Sequence, residues 1–164
     1  MKNYTIAIIV SNLSGVLTRV TSMFTRRGYN IDTLTVGETE DPEFSRITVT
    51  VYTEESVCKQ IVSQLKKMHD VKNVAVLNNS ECVTRELVLI KVKNSPENRQ
   101  DILSAVDVFR SKIIDYSTTS VCIEITGEPT KINAFIELVR PYGIMEICRT
   151  GIVSLSRDES CLLK

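Results

Sequence analysis

Asn12-Leu13-Ser14-Gly15-Val16-Leu17 follows an apolar run at residues 5–10 and opens a helical pattern that closes at Arg27-Gly28-Tyr29-Asn30-Ile31. A strand, a polar glycine-bearing loop and a helix N-terminus leave backbone N–H groups without intrahelical acceptors, and the helix dipole favours negative charge there. A small carboxylate suits such an end. Gly15 lets a ligand or a second chain approach where a Cβ would interfere. Asn30 adds an amide that can meet an ammonium or a carboxylate. The two segments form a candidate site for an amino acid or organic acid rather than for a phosphate. The same residues also admit a purely architectural role, with Asn12 or Ser14 capping the helix and Gly28 terminating it in the left-handed region.

Other chemistry-bearing residues are not arranged to use it. The single histidine, His69, stands beside Asp70 at a helix end, where a positive charge complements the dipole and no nucleophile is near in sequence. Glu38, Glu40, Asp41 and Glu43 surround Pro42 in a turn-like stretch, a solvated hairpin lacking the ordered ligand spacing of a metal loop. No phosphate loop, dinucleotide fingerprint or H-E-x-x-H pair occurs. No catalytic or metal-ligating residues are assigned, and the chain is expected not to be an enzyme.

The elements that must position the loop are read from periodicity. The first half has a strand at 4–10 and a helix with Val16, Leu17, Val20, Met23 and Phe24 on one face. A strand at 30–36 follows, then a third in which Ile47, Val49 and Val51 alternate with Arg46, Thr48 and Thr50. A helix capped by Thr53 carries Val57, Ile61, Leu65 and Met68, and a strand at 71–77 closes the set. That order is βαββαβ, the split ferredoxin-like unit.

The pattern recurs after the polar stretch Asn78-Asn79-Ser80-Glu81. A strand at 87–92 leads to Ser95-Pro96, read as a cap and a first-turn proline, and to a helix with Ile102, Val106 and Phe109 inward. Strands at 113–116 and 121–126, a helix after Gly127-Glu128-Pro129, and a strand at 144–148 complete the second copy. The expected fold is α+β, two tandem ferredoxin-like βαββαβ units, with domains at 1–78 and 79–164. Small sheets covered by helices on one face leave an open face and open edges, which predicts self-association, at least a dimer. Only the first copy has the ligand-type loop. The second has Asn94-Ser95-Pro96-Glu97, where proline donates no N–H and the acid repels a carboxylate.

Bulk composition narrows the function classes. Acidic and basic residues balance at 20 each and aromatics make up 5%, without tryptophan, so nucleic-acid binding is disfavoured. RNA-recognition domains share the βαββαβ order but present aromatics on central strands, where this chain has Arg46, Thr48 and Thr50. No run reaches the roughly 20 apolar residues of a membrane span, and no secretory signal precedes the first strand. The five cysteines are scattered without C-x-x-C spacing, as expected of reduced thiols in the cytoplasm.

Asn12-x-x-Gly15-Val16-Leu17, Arg27-Gly28-Tyr29-Asn30-Ile31, Leu34-Thr35-Val36-Gly37 and Ser45-Arg46-Ile47-Thr48 resemble the ACT domain of the acetolactate synthase small (regulatory) subunit family. The resemblance continues through Arg85-Glu86-Leu87, Ile113-Ile114-Asp115, Thr126-Gly127, Lys131-Ile132-x-Ala134-Phe135 and Gly143-Ile144-x-Glu146 to Arg149-Thr150-Gly151, nearly the whole chain. It implies an N-terminal ACT domain for effector binding and dimerisation, and a C-terminal ferredoxin-like domain for contact with the catalytic subunit. It implies a regulatory subunit without cofactors of its own. The partner would be a large subunit using thiamine diphosphate, Mg²⁺ and FAD to make acetolactate from two pyruvates, or acetohydroxybutyrate from pyruvate and 2-ketobutyrate. The small subunit would raise that activity and confer feedback inhibition by valine in branched-chain amino-acid biosynthesis, with leucine and isoleucine as alternative effectors. The matching effector positions are Asn12, Leu13, Ser14, Gly15, Val16 and Leu17 of one chain with Asn30 and Ile31 of another. Leu13 departs from the family, which often has a polar residue there. The alternative function is a freestanding amino-acid-sensing ACT protein acting on another enzyme or on transcription.

Overall fold

The computed structural model describes residues 1–78, 80–157, 159 and 161–163. It is an α+β protein with two antiparallel sheets and four helices, arranged as two βαββαβ units. The first sheet contains β1 (Lys2–Ser11), β2 (Thr33–Glu38), β3 (Phe44–Thr53) and β4 (Val71–Leu77) in the order β2-β3-β1-β4. Helices α1 (Val16–Arg26) and α2 (Glu55–Leu65) supply the crossovers. The second sheet orders β6 (Lys112–Tyr116), β7 (Ser120–Gly127), β5 (Cys82–Lys93) and β8 (Ile144–Arg149), with α3 (Arg99–Val108) and α4 (Pro129–Val139) as crossovers.

Alternation puts Tyr4, Ile6, Ile8 and Val10 of β1 and Ile47, Val49 and Val51 of β3 on one sheet face, where they join Val16, Val20, Met23 and Phe24 of α1 and Cys58, Ile61 and Leu65 of α2 in one core. The second unit repeats this with Val88, Ile90 and Val92 of β5, Val121, Ile123 and Ile125 of β7, and Ile102, Ile132, Phe135 and Val139 of the helices. The stripes read from periodicity are buried apart from Leu17, which is 40% exposed because it faces away from the core, and Val57, Met68 and Phe109, which are partly buried at its edge.

Several boundaries differ from the sequence reading. Asn30 and Ile31 lie in the connection before β2 rather than on a strand, because pairing with β3 begins at Thr33 opposite Thr50. Thr53 is still paired with Lys2, so Glu54 is the N-cap of α2. Ser95-Pro96 forms a turn ahead of α3. The Asn98 side chain accepts from Ser95 N at 2.8 Å and donates to the Lys93 carbonyl at 3.3 Å, and the helix starts only at Arg99.

The compact units are Met1–Thr84 with Ile152–Lys164, and Arg85–Gly151. The expected boundary between 78 and 79 thus falls a few residues early, with Asn79 outside the described residues. Residues 152–164 group with the first unit instead of the second. The cause is an additional strand, β9 (Val153–Ser156), which pairs with β5. Near the first residues of β5, the Thr84 and Ser154 hydroxyls share a 3.0 Å hydrogen bond and Arg157 N donates to the Glu81 carbonyl. Among the described residues no helix is long and apolar enough to cross a membrane.

Candidate functional site

The loop between β1 and α1 is built without a side-chain cap. Gly15 is the N-cap residue at φ 81°, in the left-handed region, and neither Asn12 nor Ser14 caps the helix. The αL conformation turns the chain sharply enough that a glycine is required. Gly28, at φ 68°, is the left-handed terminator at the other end.

Asn12 has a different task. Its Nδ2 donates to Glu38 Oε1 at 3.1 Å and to the Pro42 carbonyl at 3.0 Å, while its Oδ1 accepts from Ser45 Oγ at 3.0 Å. Its backbone N–H donates to the Glu43 carbonyl at 2.7 Å. Asn12 therefore ties the loop to the β2–β3 hairpin, and its amide is engaged by the chain itself. The acidic turn also has an internal task, since Asp41 Oδ1 accepts the Glu43 N–H.

With the loop held there, Leu13 N donates to the Ser11 carbonyl and Val16 N to the Leu13 carbonyl. Among the described residues, the backbone N–H groups of Ser14, Gly15, Leu17 and Thr18 have no acceptor. All four residues are exposed. They form a set of exposed donors at the positive end of α1, where an anionic group is favoured by about 0.3–1 kcal/mol from the dipole alone.

Arg19 is a contributor that the sequence reading passed over. Its Nη1 lies 3.3 Å from where a Cβ on Gly15 would stand, and its Nε donates to Asp70 Oδ2 at 2.7 Å. That hydrogen bond raises the arginine's affinity for its proton and holds the Asp70 carboxyl below the ordinary aspartate range. The spacing from Gly15, one helical turn, was the available signal.

Leu13 and Leu17 project apolar side chains around the loop, 67% and 40% exposed, whereas Val16 is buried in the core. Asn30 is exposed, its Nδ2 donating to Asp32 Oδ1 at 3.1 Å, and Ile31 packs half-buried against the first core. The eight candidate residues do not converge within one chain. The length of α1, about 16 Å at the usual helical rise, separates residues 12–15 before its start from residues 30–31 beyond its end.

Comparison with known proteins decides the family. Residues 6–73 match the family described as "AHAS small subunit-like ACT domain", and residues 85–158 match "Small subunit of acetolactate synthase". The acetolactate synthase small subunit of Bacillus subtilis is 46% identical over 153 residues, covering 93% of this chain and 89% of the relative. That of Mycolicibacterium smegmatis is 44% identical over 154 residues, covering 94% and 91%. The chain belongs to the acetolactate synthase small-subunit family. The crystal structure of the acetolactate synthase small subunit from Thermotoga maritima superimposes with a TM-score of 0.89 at 38% identity, covering 98% of this chain and all of that one. The corresponding connection of the second unit differs in having Ser95-Pro96 and no left-handed glycine at its N-cap. The residues after β5 are drawn into internal bonds, Asn94 Nδ2 to the Ser117 carbonyl at 2.6 Å and Asn94 N to the Thr119 carbonyl.

Proposed function

We propose that this chain is the non-catalytic regulatory subunit of acetolactate synthase, raising the activity of the large catalytic subunit and conferring feedback inhibition by valine. Thiamine diphosphate, Mg²⁺ and FAD belong to that partner. The observation that carries the effector half of the proposal is the group of four exposed, unpaired N–H donors at residues 14, 15, 17 and 18. These amides take the valine carboxylate. The Asn30 amide carbonyl of a neighbouring chain takes the ammonium, since Asn12 is committed to its own hairpin. Leu13, Leu17 and Ile31 enclose the isopropyl group. Leucine and isoleucine differ by a methylene, worth about 1–3 kcal/mol, and so bind the same site less well.

A site completed by two chains links effector binding to association. At 100 times Kd the effector stabilises the dimer by about 2.7 kcal/mol. Transmission to the catalytic subunit requires that it distinguish the liganded dimer, with a coupling of about 1–3 kcal/mol typical of such systems. The second unit, with no ligand loop of its own, is assigned the contact with the large subunit.

Reconstitution tests the proposal. Adding the purified chain to the acetolactate synthase large subunit raises its activity, and valine then lowers it. No gain in activity on mixing would overturn the assignment.

A further inference from the structure

The face of the first sheet that points away from α1 and α2 holds a cavity of about 420 Å³. On β1 and β3, Ile9 and Arg46 are paired neighbours on this face, since the adjoining Ile8, Val10 and Ile47 belong to the helix-side core. The C-terminal segment forms the opposite wall. Leu162 packs on Ala7, Leu77 and Cys82, its carbonyl accepts from Asn73 Nδ2 at 2.9 Å, and Leu155 and Leu162 line the space.

Arg46 is the unusual group. It is half-buried, and among the described residues its guanidinium has one partner, the Ser154 carbonyl, reached by Nη2 at 2.7 Å. Burial pushes it below the ordinary arginine value, an effect partly offset by the negative charge of Glu40. Glu40 lines the same cavity without forming a salt bridge to Arg46. Its remaining donors are open to the cavity, and a carboxylate could accept two of these N–H groups in a charge-assisted, forked pair.

We propose that this cavity binds a small aliphatic L-amino acid, its carboxylate on Arg46, its ammonium toward Glu40 and its side chain against Ile9, Leu155 and Leu162. The opposed charges match a zwitterion. Glu40 disfavours a dianion such as phosphate, and the apolar wall gives a purely inorganic ion nothing to bury. The volume falls within the usual range of small-molecule sites. The cavity is distinct from the loop at residues 12–17 and does not depend on the function proposed for it.

Calorimetric titration of the full chain with L-leucine separates the two sites. Gly15→Asp removes the loop site, so this variant is expected to retain one saturable leucine site per chain. Adding Arg46→Gln is expected to weaken that remaining site tenfold or more, the loss typical of a charge-assisted hydrogen-bonded contact. Leu155→Trp, a change confined to an exposed side chain, fills the cavity and gives the same loss should Arg46→Gln fail to fold. The analogue 4-methyl-2-oxopentanoate, lacking the ammonium, binds more weakly than leucine to the Gly15→Asp chain, and Glu40→Gln narrows the difference. Absence of saturable binding to the Gly15→Asp chain overturns the proposal and leaves the loop site standing. Unchanged affinity after both cavity substitutions also overturns it.

Discussion

Gly15→Asp perturbs the loop in two separable ways. Gly15 sits at φ 81°, so any side chain there adopts a left-handed conformation costing about 1–2 kcal/mol. Its Cβ would meet only the terminal Nη1 of Arg19, at 3.3 Å, so the neighbour need give by only a few tenths of an ångström and sterics add little. The new carboxylate would stand beside the unpaired amides that receive the ligand's own carboxylate. Two like charges about 5 Å apart at an effective dielectric near 20 repel by about 3 kcal/mol, which weakens valine binding roughly a hundredfold. Gly15→Ala carries the backbone strain without the charge, so its melting temperature falls comparably while its affinity falls far less. Calorimetry with valine on both variants in an Arg46→Gln background, alongside thermal melts, reads the two effects at the loop alone. Unchanged valine affinity in Gly15→Asp, in a variant that is folded, would refute the placement of the carboxylate at this loop.

Asn12→Ala removes three side-chain hydrogen bonds between the loop and the β2–β3 hairpin, with an expected loss of about 1–3 kcal/mol in urea denaturation and weaker valine binding; unchanged stability would show that the hairpin does not hold the loop. In the second unit Glu86, 1% exposed, is gripped by Arg149 through bonds of 2.6 and 2.7 Å. Arg149→Met strands that carboxylate and should destabilise the unit by about 3–5 kcal/mol, whereas a shift under 1 kcal/mol would mean the pair contributes little. Asp70 titrates below the ordinary aspartate range because Arg19 hydrogen-bonds its charged form. Its stabilising effect is therefore full above the unfolded aspartate pKa of about 3.9 and is lost as pH falls through the lower folded value. Asp70→Asn should flatten acid unfolding below about pH 4, and a carboxyl midpoint at or above the ordinary value, read by NMR, would contradict the pairing.

The features legible in the sequence were local ones. Apolar stripes such as Val16, Val20, Met23 and Phe24, and alternations such as Ile47, Val49 and Val51, express one element's buried face, and these located every helix and both sheets. Gly28 was legible because glycine readily takes its left-handed conformation, whereas Gly15 was read for close approach and its left-handed N-cap role was not. Contacts between residues distant in sequence were not legible. Arg19 finds Asp70 across 51 positions and Glu86 finds Arg149 across 63, and no local pattern encodes either. The return of the C-terminal segment to the first unit was missed for the same reason, since four residues of alternating Val153-Ser-Leu-Ser do not name the strand they pair with. Asn12 was read as ligand or cap because its partners, Glu38, Pro42 and Ser45, come from a hairpin whose fold brings them under the loop. The comparisons settle the family, while the effector residues rest on the family resemblance together with the loop's exposed donors.

The central claim is that the effector site is completed by two chains, and subunit complementation tests it most directly. In an Arg46→Gln background that silences the sheet-face cavity, Gly15→Asp disables the loop and Asn30→Ala disables the neighbour's contribution, so each homodimer should bind valine poorly. In a mixed dimer, isolated through two different affinity tags, one site carries both lesions and the other carries neither. About half of the wild-type number of valine sites should therefore reappear at wild-type affinity. A site contained within a single chain would be damaged in both subunits, and a mixed dimer that binds no better than its parents would contradict the account.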